Sequence, residues 1–83
     1  MRKRELLPEY QRFSAVLKKI RQERGINQVE IAKRLKKPQS YISKIESGER
    51  RLDFVELRVL CHVMGISVAD FARTFEEFSN RDL

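Results

Sequence analysis

The sequence predicts an all-α fold, a compact bundle of five short helices forming one domain over residues 1–83. Apolar residues recur along most of the chain at intervals of three and four, the spacing that lines one face of a helix. Only three Gly and two Pro occur in 83 residues, so little of the chain is committed to irregular backbone. No segment alternates apolar and polar residues as a half-buried strand would. With 41% apolar and 36% charged residues, the composition fits a soluble globule with a heavily charged exterior, and so short a chain has room for one modest core.

Each helix can be placed with its stops. Residues 1–9 are a basic lead-in. Pro8 suits a first helical turn, and Phe13, Val16, Leu17 and Ile20 follow at helical spacing until Gly25 ends the run. Asn27 and Glu30 have the form of a capping box, and Ile31, Ala32 and Leu35 make the stripe of a two-turn second helix that stops near Lys36. Pro38 opens a third helix over about residues 39–47, with Gly48 placed to close it in the left-handed conformation. Asp53 with Glu56 repeats the capping arrangement before Phe54, Leu57, Leu60, Cys61 and Met64, and Gly65 closes this fourth helix. Ser67 with Asp70 does so again for a C-terminal helix, residues 67–80, that carries Val68, Phe71, Ala72, Phe75 and Phe78.

The second and third helices are separated only by Lys36, Lys37 and Pro38, and each is too short to be stable alone. They must pack together at a steep angle, burying Ile31, Ala32, Leu35, Ile42 and Ile45 between them and against the first helix. The small Ala32 lets the two approach closely. This is the geometry of a helix-turn-helix, whose second helix offers its outer face to a DNA major groove. At about 100° per residue, Ile42 and Ile45 fall on one side of the third helix, and Gln39, Ser40, Ser43, Lys44 and Ser47 on the other. That outer side has no acid. A solvated face ordinarily mixes Glu with Lys, so short neutral hydrogen-bonding groups and one Lys point to a polyanionic surface. Gln pairs well with adenine, Lys donates to guanine, Ser serves either, and Lys or Arg on loops suits phosphate.

Charge supports the same reading. Net charge is +5 over residues 1–24, +4 over 25–52 and −3 over 53–83, for +6 in all. A basic first two-thirds joined to an acidic end is the footprint of a polyanion-binding face with a different surface behind it. No apolar run approaches the ~18 residues of a membrane span, and the start MRKRELLPEY lacks the pattern of a signal peptide, so a cytoplasmic, membrane-free protein is expected. The single Cys61 excludes an internal disulfide. Cys61 and His62 are adjacent on one helix and point about 100° apart, which excludes a facing Cys-His pair, and they are too few to hold a metal. No Gly-rich phosphate loop is present. Neither an enzyme nor a cofactor is expected.

From Phe13 to Phe71 the chain resembles the phage-repressor and Cro-type (Xre-like) helix-turn-helix family. The family's Leu-x-x-Ile-Arg pattern appears as Leu17, Ile20 and Arg21, its Gln-x-x-Leu-Ala signature as Gln28, Ile31 and Ala32, and its Ile-Glu-x-Gly as Ile45, Glu46 and Gly48. The resemblance implies that Gln28 binds a phosphate and steadies Gln39, that Gln39, Ser40, Ser43 and Lys44 reach base edges, and that Tyr41 touches the DNA backbone. It places Arg50 and Arg51 on phosphates. It also implies that Arg21 and Glu46 pair, half-buried, tying the first helix to the third. Many relatives have Gly where this chain has Lys36, so either the turn keeps the left-handed conformation at a cost of ~1–2 kcal/mol or it takes another shape and shifts the angle of the third helix.

The function expected is a sequence-specific regulator of transcription, a repressor for example, bound to double-stranded DNA as a homodimer on an inverted repeat. The alternative is a protein-binding adaptor or antitoxin with the same fold, its main contact through the acidic, Phe-rich end. Phe75 and Phe78 extend the stripe of the last helix beyond what a small core needs, which makes them the expected dimer contact. A chain of 83 residues leaves no sensor domain, so no small-molecule effector is expected.

Overall fold

The computed structural model describes residues 6–78. Five helices follow in order: α1 (Leu7–Glu23), α2 (Gln28–Leu35), α3 (Gln39–Glu46), α4 (Phe54–Met64) and α5 (Val68–Glu77). There is no strand among the described residues. Part of the basic lead-in, residues 1–5, and the last residues of the expected C-terminal helix, 79–80, lie outside the described residues.

Local chemistry explains most boundaries. Pro8 sits in the first turn of α1, where a missing N–H costs nothing, and Glu9 lies at its positive end. Both arms of a capping box close the start of α4, between Asp53 and Glu56, and of α5, between Ser67 and Asp70. At α2 one arm forms: Asn27 accepts from the Glu30 N–H at 2.8 Å, while the Glu30 carboxylate pairs with Arg34 at 3.3 Å. Lys36 ends α2 in the left-handed region, φ 58° and ψ 43°. Its own N–H and that of Lys37 donate to the carbonyls of Lys33 and Ala32, which offsets the steric cost of a side chain there.

α1 is the spine of the core. Val16, Leu17 and Ile20 are buried against Ile31 and Ala32 of α2, Ile42 and Ile45 of α3, and Leu57, Leu60, Cys61 and Met64 of α4. Two expectations from the stripes fail. Phe54, at the first position of α4, lies beyond the edge of this core and is 66% exposed, and Val55 and Val59 beside it are also exposed. Ala72 is exposed, and Phe71 closes the core from α5 with its ring edge-on to Phe13 at 5.4 Å.

The end of α5 also departs from the expectation of an exposed aromatic pair. The chain leaves the helix at Phe78, whose backbone is extended at φ −74° and ψ 120°, and this turns its ring into the core. Phe75 is half-buried. It stacks on Phe71 at 6.2 Å, and the Arg12 guanidinium lies 4.3 Å over its ring. Arg12 also donates to the carbonyls of Phe75 and Glu76, satisfying the negative C-terminal end of α5 from α1.

Candidate nucleic-acid interface

Ile42 and Ile45 pin α3 to the core and so decide which side faces out. Gln39, Ser40 and Lys44 are exposed and Ser43 is half-buried, and the first turn of α3 contains no acid. Pro38 precedes the helix with no side-chain cap, so the positive end of α3 is left open at the surface. Ser43 and Ser47 turn their hydroxyls back onto the carbonyls of Ser40 and Lys44, at 3.2 and 3.1 Å. Each hydroxyl oxygen keeps lone pairs free to accept.

Behind this face runs a polar chain into the core. Gln39 Nε2 donates to Gln28 Oε1 at 3.2 Å, and Gln28 Nε2 donates to Glu46 Oε1 at 2.9 Å. Glu46 is in turn gripped by Arg21 through Nε at 2.5 Å and Nη2 at 3.0 Å, with the two side chains only 9% and 8% exposed. Arg21 Nη1 donates to the Ile26 carbonyl at 2.7 Å, so its remaining side is satisfied as well. Four residues from α1, α2 and α3 thus form one connected network that opens at Gln39.

The remaining candidates divide into two groups. Tyr41 is half-buried with Lys37 and Arg50 over its ring, at 5.4 and 4.7 Å, and Arg50 also pairs with Glu56 at 3.0 Å. Arg51 turns the other way, with its guanidinium 3.8 Å over the ring of Tyr10 on α1. It borders a cleft of about 210 Å³ whose walls include Tyr10, Phe13, Leu52 and Phe75. Among the described residues Arg51 has no carboxylate partner. Two adjacent arginines that look equivalent in sequence are therefore held on different aromatic rings.

Nothing among the described residues gathers three potential metal ligands. Cys61 is fully buried, and burial together with the nearby Asp70 charge pushes its thiol up to about 11, which keeps it protonated and inert. His62 is exposed on α4. No described helix is long and apolar enough to cross a membrane.

A helix-turn-helix family model matches residues 17–71, which takes in α2, the turn at Lys36, α3 and α4. The chain belongs to this family, the Xre-like helix-turn-helix proteins. Two solved structures are similar to it. One is the clp gene regulator ClgR from C. glutamicum, 26% identical with a TM-score of 0.74, the match covering 82% of this chain and 87% of that one. The other is the restriction-modification controller protein C.Esp1396I, a tetramer in complex with its natural 35 base-pair operator. It is 29% identical with a TM-score of 0.76, the match covering 82% of this chain and 90% of that one. No curated protein matches the chain. As an Xre-like helix-turn-helix protein, the chain is a DNA-binding transcription regulator.

Proposed function

We propose that the chain regulates transcription as a homodimer on an inverted repeat, laying the N-terminal part of α3 in the major groove of each half-site. The observation that carries this reading is the outer face of α3, which lacks acid, begins at an uncapped helix N-terminus, and presents Gln39, Ser40, Ser43 and Lys44 together. In this docking those four side chains meet base edges, and Gln28, the first residue of α2, binds phosphate beside them through the backbone N–H at that helix start. Tyr41 and Arg50, clustered with Lys37, meet the DNA backbone beyond α3, and Arg51 meets it nearer α1. The bound operator of the controller protein supports DNA as the ligand. The protein binds without catalysis, in the cytoplasm.

The dimer needs an apolar surface that the folded chain leaves open. Phe78 and Phe75 are drawn into their own chain, whereas Phe54, Val55 and Val59 stand on one outward arc of α4, 66%, 68% and 47% exposed. We place the dimer contact there. A two-fold dimer that reads both half-sites requires them about one helical turn, ~34 Å, apart. Selection from random duplex DNA tests the reading: the regulator enriches an inverted repeat with that spacing. Recovery of no shared sequence favours a protein-binding adaptor that uses the α4 patch for a different partner.

A further inference from the structure

We infer that Glu46 is a positioning residue for base selection: acting through Gln28, it fixes which end of the Gln39 amide faces the base. The inference rests on the reading of α3 as the recognition helix and goes beyond it, because it gives a core ion pair a part in specificity.

A glutamine amide is nearly symmetrical in shape and opposite in chemistry at its two ends, so an unsupported Gln39 can offer a given base either its oxygen or its nitrogen by a half-turn. The network removes that freedom one link at a time. Glu46, paired with Arg21, has only acceptors to offer, and its Oε1 lies 2.9 Å from Gln28 Nε2. Turning the Gln28 amide over would bring its oxygen against the Glu46 oxygen, two acceptors without a proton between them. Gln28 is therefore held with nitrogen inward and oxygen outward. That outward oxygen accepts from Gln39 Nε2 at 3.2 Å, and the same argument fixes Gln39 with its nitrogen toward Gln28. Every donor in the chain points toward Glu46.

The consequence lies at the exposed end. Gln39 Nε2 has one N–H engaged with Gln28 and a second free, and its Oε1 has no partner among the described hydrogen bonds. A free donor beside a free acceptor is the pattern that matches adenine, whose N7 accepts and whose N6 amino group donates. A reversed Gln39 would set its oxygen against N7 and its amino group against N6, acceptor on acceptor and donor on donor. The buried carboxylate thus sets adenine preference at one base pair per half-site, although it does not touch DNA.

The experiment compares wild type, Glu46→Gln, Gln39→Ala and the double variant, each shown folded by circular dichroism at the assay temperature, on operator duplexes carrying each base at the pair read by Gln39. Glu46→Gln keeps shape and supplies both an acceptor and a donor, so the polarity of the network is no longer imposed. Its preference for adenine over the other bases is expected to fall about tenfold, the scale of one base-specific pair of bonds, with preferences elsewhere in the half-site unchanged. In the Gln39→Ala background the same substitution is expected to change no base preference. Arg21→Met with Glu46→Met, which removes the carboxylate together with its buried partner, is expected to give the same loss of preference and carries the test if Glu46→Gln does not fold; Gln28→Met, which gives up one hydrogen bond to the Glu46 carboxylate and with it some melting temperature, checks the middle link. Uniform weakening on all four duplexes with the adenine preference intact overturns the inference, as does a change that persists without Gln39. If wild type shows no preference at any base pair, the reading of α3 falls and takes the inference with it.

Discussion

Arg21 Nε and Glu46 Oε2 meet at 2.5 Å, and this ion pair joins the last turn of α1 to the last residue of α3. Both side chains are withdrawn from water, so the interaction is judged by what remains when one partner is removed. Glu46→Ala leaves a guanidinium in a site with the Ile26 carbonyl as its one remaining acceptor. It is expected to destabilise the fold by about 3–5 kcal/mol, whereas replacing both residues together with Met or Leu costs far less. Urea denaturation of the two variants checks this, and an unchanged midpoint for Glu46→Ala would show that the pair contributes nothing.

Arg12 acts on α5 in a comparable way. Its guanidinium covers the Phe75 ring and donates to the Phe75 and Glu76 carbonyls, so Arg12→Ala removes a C-terminal cap and a cation–π contact at once. A loss of about 1.5–3 kcal/mol is expected, the range for hydrogen bonds to a charged group. Glu9→Gln, which breaks the exposed pair with Arg12 at 3.4 Å and removes one charge from the start of α1, is expected to cost less than about 1 kcal/mol. Hydrogen exchange locates the effect: Arg12→Ala should speed exchange first in the last turn of α5. Uniform acceleration along the chain would mean that Arg12 stabilises the whole core rather than this terminus.

The contrast between these two arginines shows how far the sequence could be read. Helix number, the boxes at Asp53 with Glu56 and Ser67 with Asp70, and the inward faces of α2 and α3 follow from local rules of spacing and capping, which one chain segment states by itself. Arg12 reaches a carbonyl 63 residues away, and no local pattern encodes that contact. The outward Phe54 fits the same helical spacing as Leu57 and Leu60, and only the position of the core edge separates it from them. Phe78 likewise continues the stripe in sequence, but it stands past the end of α5, where an extended backbone redirects its ring. In the candidate site, the residue types on α3 were legible. The relay through Gln28 to Glu46 and the separate placements of Arg50 and Arg51 depend on how three helices and a loop meet.

The dimer surface proposed on α4 can be separated from the α5 aromatics. Val55→Glu with Val59→Glu places two charges on an exposed face and leaves the core untouched, so the variant is expected to fold normally and sediment as a monomer where wild type is a dimer. Phe78→Ala removes a buried ring and is expected to cost about 3–5 kcal/mol of stability while the folded fraction still dimerises. A wild type that is monomeric at micromolar concentration rejects the dimer, and a dimeric Val55→Glu/Val59→Glu variant moves the contact off α4.

The two roles proposed for the interface, reading bases and holding phosphates, predict different responses to salt. Gln39→Ala and Lys44→Ala each remove a side chain directed at a base edge, and each should relax preference at one or two base pairs per half-site by roughly 1–3 kcal/mol. Arg50 and Arg51 lie beyond α3, braced on Tyr41 and Tyr10, so neutralising either should weaken cognate and scrambled duplex together. The slope of log affinity against log salt should fall by about one for each phosphate that a half-site no longer binds. The pairing of Arg50 with Glu56 sharpens the comparison, because a guanidinium already shared with a carboxylate neutralises phosphate less completely than one without such a partner. Arg51→Ala is therefore expected to reduce the slope more than Arg50→Ala, and Glu56→Gln, which releases Arg50, to steepen it. Titrations of these variants on both duplexes at several salt concentrations check the assignment. If Gln39→Ala lowers both affinities equally while Arg50→Ala alters base preference, the docking of α3 proposed here is wrong even though the protein binds DNA.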